Sequence, residues 1–358
     1  MLCLASAGTE GASFLEIPVG AEAAALGGAY SALATNAYAP IYNPAGLAFS
    51  PSSQLAAQHL SYLESIHYEY LGFVLPLSTQ QSAIGTSVQY LGSGDFTQTN
   101  DSGQQIGEFS SHFAAYTLSY GQKVNDELAF GISAKLINAK ISDVNANAYA
   151  ADAGMMMRAS EKITLAGVMS NAGTQLNFLN DGGSLPLAGR LGGAYEFSPQ
   201  WRGSVDGIYR AYGLFSAHVG LEARPISFLS LRAGYRTDTT KELGPLAGLT
   251  AGMGLTLWGQ DFSYAWLPMS DLGMTQYFSI LLKFGEDNKG KRNLIRYGNM
   301  RTVHLKINNQ SIEGYVIQDP ETGLRNSPDP DFAELIQLLT GEDITLSARG
   351  SSSSGNQP

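Results

Sequence analysis

The sequence predicts an all-β fold: a 14-stranded antiparallel transmembrane β-barrel with an N-terminal helical hatch and a small C-terminal α+β extension. Three observations predict it. Only 15% of the 358 residues are charged, against roughly a quarter in water-soluble domains, so something other than water covers part of the surface. Between about residues 52 and 285 apolar residues alternate with small or polar ones, the mark of strands with two different faces. The links between these segments alternate short and long, as in barrels with tight periplasmic turns and longer outer loops.

Composition excludes several classes. The chain holds 41 Gly, 18 Tyr and 15 Phe; Gly weakens helices, and aromatic rings fit a pleated surface. A net charge of -10 without a dense basic cluster argues against nucleic acid as a partner. A spanning helix needs about 20 consecutive apolar residues, and the apolar runs here break far sooner. Lipid permits only helices and closed barrels, which leaves the barrel. Cys3 is the single cysteine, so neither an internal disulfide nor a thiolate metal cluster is available.

The elements follow in order. Residues 1–9 read as a signal-peptide remnant, with Ala5, Ser6 and Ala7 as a small-residue cleavage site; the alternative is an ordinary apolar N-terminus. Residues 10–50 read as a hatch or plug. They are rich in Ala and lack strand periodicity. Gly27 and Gly28 allow a tight bend and close backbone approach, Asn43 can cap a short helix starting at Pro44, and Gly46 and Leu47 complete the motif. A mobile linker is the competing reading, but it would have no use for Leu26, Tyr30, Leu33 and Tyr42 at such density.

The barrel is assigned to residues 51–285, with strands near 54–62, 67–77, 82–92, 108–120, 126–140, 147–158, 161–170, 186–198, 200–211, 214–224, 227–237, 247–258, 260–267 and 275–285. Leu128, Phe130, Ile132, Ala134 and Leu136 share one face; Ala129, Gly131, Ser133 and Lys135 share the other. A soluble sandwich would alternate too. Charged and glycine positions on the would-be lumen face, with Trp201, Trp258 and Trp266 at segment ends, favour a lipid-facing barrel with aromatic girdles. Links after even-numbered strands are short; the long ones, 93–107, 141–146, 171–185, 238–246 and 268–274, all follow odd-numbered strands, although the first and ninth strands break the contrast with short outer loops. That parity gives fourteen strands whose two ends lie in the periplasm, and it makes loops 93–107 and 171–185 the expected partner contacts.

After residue 285 the composition turns aqueous: 18 of the residues 286–350 are charged. This segment reads as a periplasmic C-terminal extension, with a strand pair around Asn308 and Asn309 and a helix over 329–341 that buries Phe332, Leu335, Ile336 and Leu339. Residues 351–358 read as a disordered tail.

Three segments carry a resemblance to a known family: residues 14–21 (Phe-Leu-Glu-Ile-Pro-Val-Gly-Ala), residues 25–30 (Ala-Leu-Gly-Gly-Ala-Tyr) and residues 42–48 (Tyr-Asn-Pro-Ala-Gly-Leu-Ala). They resemble the N-terminal signature of PorV/PorQ-type proteins, relatives of the FadL-like fatty-acid transporters. The resemblance is specific over residues 14–50 and architectural beyond. It implies a hatch of short helices lodged inside a fourteen-stranded barrel of the bacterial outer membrane. One departure is Thr35-Asn36, where family members often carry an acidic pair.

The search for reaction chemistry nominates nothing, and the chain is read as not an enzyme. The five histidines lack the i, i+4 spacing of a metal pair, and His59 and His67 read as interfacial strand residues. No serine motif or phosphate loop stands out, and no cofactor or metal is expected. One constellation rises above background: Arg190, Arg202, Arg210, Arg232 and Arg236, with Arg224, fall on neighbouring strands at lumen positions. They read as a solvated wall paired with Glu196, Asp206, Glu222 and Asp238, or as a basic strip that holds Glu16 or Glu22 of the hatch, or an anionic ligand.

Two functions fit. The resemblance implies an accessory barrel of type IX-like protein secretion and surface attachment that binds the translocon or cargo. The alternative is a FadL-like passive transporter of hydrophobic small molecules. Expected partners are outer-membrane lipid, other secretion-system or surface proteins, and a hydrophobic ligand or lipid in the lumen. A transporter needs an apolar pocket of several hundred Å³ with an exit, whereas an adaptor can be plugged.

Overall fold

In the computed structural model, residues 10–61, 66–77, 81–94, 96–179, 181–240, 244–268 and 273–284 are described, with the backbone of 300–307, 310–318 and 325–326. The signal remnant, the helix expected over 329–341 and the tail over 351–358 lie outside the described residues. The chain forms two units, residues 1–284 and 285–358.

The first unit is a closed barrel of fourteen antiparallel strands. These are β1 (Ser53–Ser61), β2 (His67–Pro76), β3 (Ser82–Gly92), β4 (Ser111–Lys123), β5 (Leu128–Ile141), β6 (Val144–Arg158) and β7 (Ile163–Gly173). There follow β8 (Ala188–Ser198), β9 (Trp201–Arg210), β10 (Phe215–Ile226), β11 (Leu229–Arg236), β12 (Leu249–Leu257), β13 (Gln260–Pro268) and β14 (Met274–Phe284). Each strand pairs with its sequence neighbours, and β1 closes on β14 in the register Ser53↔Phe284 to Ser61↔Gln276. Closure leaves no strand edge unpaired, which a sheet in hydrocarbon requires.

Period-two alternation decides the two faces. Along β5, Ala129, Gly131, Ser133 and Lys135 are buried toward the lumen while Phe130, Ile132, Ala134 and Leu136 are exposed outward. Leu118, Ile132 and Leu191, 61–75% exposed, illustrate the apolar outer wall. Trp201 and Trp258 mark the rim of short turns, and Trp266 stands near the opposite, loop-bearing rim.

The loops differ from the expectation at two points. Residues 141–146 are not a long link, because β5 and β6 continue to a tight turn at Ser142 and Asp143, with Ser142 at φ 53°. The links after β3 and β7 fold back on themselves as hairpins, Phe96–Thr99 with Gln105–Phe109 and Leu176–Phe178 with Asp181–Gly183. Alternation along these short pieces is too brief to separate from loop in the sequence.

The second unit contains the antiparallel pair of strands Met300–Ile307 and Gln310–Gln318, and a two-residue strand Arg325–Asn326 paired to the latter.

Candidate functional site

The site is the lumen and what fills it. Residues 13–49 form four short helical turns, Ser13–Glu16, Ala21–Ala25, Ala39–Tyr42 and Pro44–Phe49. None is long enough to be stable alone, so the segment is held by its surroundings. Val19, Ala21, Ala23, Ala24, Ala25 and Leu47 are completely buried. Asn43 accepts from Ala45 N–H at 3.1 Å, with Pro44 at the first helical position, and its amide donates to Ser31 O and Met155 O at 3.1 Å each. Gly27 and Gly28 have φ of 66° and 79°, and Gly27 packs against the Tyr235 backbone. At Gly46 a Cβ would collide with Ala34 O, and Leu47 packs over Gly85 and Gly121. Asn36, at the departure from the family signature, donates to the Tyr30 hydroxyl at 2.8 Å. Burial pushes the Tyr42 hydroxyl up to about 12; it stays protonated and donates to Val19 O at 2.9 Å.

The wall is shaped to this plug by glycines. At Gly72, Gly121, Gly131 and Gly234 an added Cβ would meet backbone of Ala37, Pro44, Ala45 and Gly27 respectively, and at Gly154 and Gly192 the side chains of Asn43 and Ser31. Much of the glycine content is thus inward-facing clearance for the hatch. Wall side chains supply the bonds the short helices lack. Gln58 accepts from Gly20 N–H, Ser279 Oγ accepts from Ala21 N–H at 3.1 Å, and Thr250 Oγ1 donates to Ala25 O at 2.8 Å. Tyr70 donates to Ala37 O at 2.6 Å.

Electrostatics runs through the arginines. Residues 10–50 carry Glu10, Glu16 and Glu22 and no Lys, Arg or His, so cations must come from the wall. Arg210 pairs with Glu16 and, at 3.0 Å, with Asp238; Arg202 reaches Glu222 at 3.0 Å and Glu22 at 3.4 Å. Arg232 bonds Glu222 at 2.6 Å and lies 3.8 Å from Glu22. Arg190 bonds Asp206 and Gly28 O, both at 2.9 Å, and Arg236 forks onto Asp238 with two 2.6 Å bonds. Arg224 pairs with Glu222 at 2.7 Å but is half-exposed. The structure therefore brings wall and hatch carboxylates onto one set of arginines. At the short-turn rim Arg158 stacks on Phe49, 4.1 Å from its ring centre, a contact that sequence offset alone does not disclose.

The space left is divided. A polar cavity of about 70 Å³ lies between hatch and wall beside Glu16, Tyr42, Gln89, Arg190 and His218. Gln89 Oε1 and His218 Nδ1 have no partner among the described protein atoms, and the volume suits about two waters at roughly 30 Å³ each. At the loop rim an open depression of about 410 Å³ is lined by Phe14, Leu91, Phe113, Leu176 and Phe178. Gly11 N–H donates to Ser184 O at 2.9 Å there, so the described chain begins at the loop rim while β1 begins at the other. At the short-turn rim a depression of about 810 Å³ is lined by Leu33, Thr35, Met156, Arg158 and Arg202.

A closed fourteen-stranded wall, apolar outside and plugged within, defines an outer-membrane β-barrel. The chain belongs to the PorV family: the family of the type IX secretion system protein PorV matches residues 5–197, more than half its length. Among solved structures it is similar to the Pseudomonas putida toluene transporter TodX, at 15% identity and TM-score 0.53, over 74% of this chain and 96% of that one. It is also similar to the CymD monoaromatic hydrocarbon channel (15%, TM-score 0.54, 75% and 98%) and the Ralstonia pickettii toluene transporter TbuX (12%, TM-score 0.52, 75% and 98%). At these identities the likeness establishes the fold. No curated protein matches the sequence.

Proposed function

We propose that this protein is an accessory barrel of type IX-like secretion and surface attachment, binding the translocon or exported cargo at its loop rim. The observation that carries this reading is the filled middle of the lumen: Ala21–Ala25 and Pro44–Phe49 are buried against the wall, and the space left lies in a polar cavity of about 70 Å³ beside Tyr42 and in open depressions at the rims, of about 310 Å³ beside Phe14 and Leu267, 410 Å³ beside Leu176 and 810 Å³ beside Arg158. Membership of the PorV family supports it. In this reading residues 10–50 are the hatch, residues 51–285 the barrel, and residues 286–350 a periplasmic extension, since β1 begins where β14 ends. Gly27, Gly28, Asn43, Pro44, Gly46 and Leu47 shape the hatch; Arg190, Arg202, Arg210 and Arg232 anchor it, and Arg236 holds Asp238, the wall partner of Arg210. Photo-crosslinkers placed in the hairpin at Phe96–Thr99 should capture a secretion component or exported protein in cells. Capture of neither, together with uptake of toluene by liposomes holding the purified protein, would reverse the assignment.

That second reading, a passive route for hydrophobic molecules, draws on the apolar depression beside Phe14 and on solved structures that are toluene and monoaromatic channels. It requires hatch movement, so uptake should then rise when the hatch anchors are removed.

A further inference from the structure

The outer wall is not uniform. On the described barrel strands every arginine and every lysine but one points into the lumen by strand alternation; the exception is Lys140. The outward histidines lie on the same side of the barrel: His112 on the adjacent β4, His67 on β2 and His59 on β1. The cation-capable side chains of the outer wall thus share one patch.

Register fixes its layout. His67, Gly92, His112, Lys140 and Asn145 are consecutive cross-strand partners over β2 to β6, with side chains of adjacent strands about 5 Å apart at Cβ. Gly92 leaves room for the Tyr90 ring, which sits between His67 at 6.2 Å and His112 at 6.0 Å, centre to centre. The neighbouring carboxylate, Glu69, is engaged by His59 at 2.6 Å. Two row-steps toward the short-turn rim the same strands present Leu71, Tyr116, Leu136 and Tyr149, 39–63% exposed. The patch therefore sits at the loop-side edge of the apolar band, where lipid meets water.

We infer that His67, Tyr90, His112 and Lys140 bind the phosphate of a lipid in the leaflet facing the loop rim. The ammonium of Lys140 supplies the charge, the two imidazoles and the phenol each offer one donor, and the apolar row beneath takes the acyl chains. A free phosphate would use the polar half of the site alone; the apolar row two steps below selects the lipid.

The full-length protein in mild detergent, followed by native mass spectrometry, tests this with dioleoyl phosphatidic acid, dioleoylglycerol and inorganic phosphate. Phosphatidic acid should bind saturably. Lys140→Gln should weaken it about five-fold, in line with roughly 1 kcal/mol per basic residue at a lipid surface, and His112→Gln added to it should weaken it further. Lys162→Gln, at the opposite rim, should change nothing, and heat-modifiable migration on gels verifies that each variant is folded. Equal binding by the Lys140 and Lys162 variants overturns the site. So does dioleoylglycerol bound as tightly as phosphatidic acid, or inorganic phosphate competing as well as the lipid.

Discussion

The carboxylate of Asp206 grips Ser31 at two points: Oδ2 accepts its backbone N–H at 3.1 Å and Oδ1 accepts its hydroxyl at 2.8 Å. Tyr30 N–H adds a third bond at 3.2 Å, and Arg190 neutralises the charge at 2.9 Å. Removing one partner of a buried pair costs about 3–5 kcal/mol, because the other charge is left uncompensated. Asp206→Ala should therefore loosen the middle of the hatch while the wall persists. The hatch has no tryptic site, so chymotrypsin cleavage near Tyr30 and Leu33 in an otherwise heat-modifiable barrel is the measurement. An uncut hatch would show that Asp206 is dispensable.

Gly131 tests the clearance argument. A side chain there would strike Pro44 and Ala45, and forcing bulk into a filled interior costs roughly 1–3 kcal/mol or more. Gly131→Leu should expose the hatch to chymotrypsin, whereas Gly193→Leu, on the outward face of β8 where a Cβ would have room, should not.

Asp238 predicts behaviour in acid. Burial alone would raise its carboxyl, but the Arg236 guanidinium and the further contacts of His218 outweigh burial and hold it well below the usual carboxylate range. A depressed folded value means that its contribution is present above the unfolded value, about 3.9, and is lost only as pH falls through the folded one. Hatch protection due to this residue should be the same at pH 7 and pH 4.5. Asp238→Asn should lower protection at both, and a wild-type loss between those pH values that the variant lacks would contradict the assignment.

The loops should be separable from the wall. Residues 96–109 are exposed or half-exposed along the described part, so replacing them with a short linker should leave a folded barrel and reduce partner co-purification several-fold. Replacing 176–183 should also free the segment at Gly11, which bonds Ser184. Unchanged co-purification after both replacements would remove the loops from the partner site.

Much of the wall was legible because each strand reports its own face. Ala129 to Leu136 alternate without a break, and the even number of strands follows from link lengths alone. The extra length of β5 and β6 was not legible: Ser142 adopts a positive φ that the residue type does not announce. The arginines of β8 to β11 could be placed in the lumen by alternation and their carboxylate partners narrowed to wall or hatch, yet which arginine meets which could not be read, since pairing Arg210 with Glu16 spans 194 positions. Nor could inward glycines be told from weak strand positions, because what occupies their space is a distant segment.

The hatch also dictates an order of construction. Ala21 is bonded to Ser279 across 258 positions and Ala25 to Thr250 across 225, while the last strand seals against the first. A sealed cylinder offers no gap wide enough to admit a folded segment gripped by glycine backbone around its circumference. The hatch, which precedes every barrel strand in the chain, must already be seated when β14 meets β1, so it serves as the mandrel on which the wall is wound, and a defect in that seat becomes a defect of biogenesis before it is one of function.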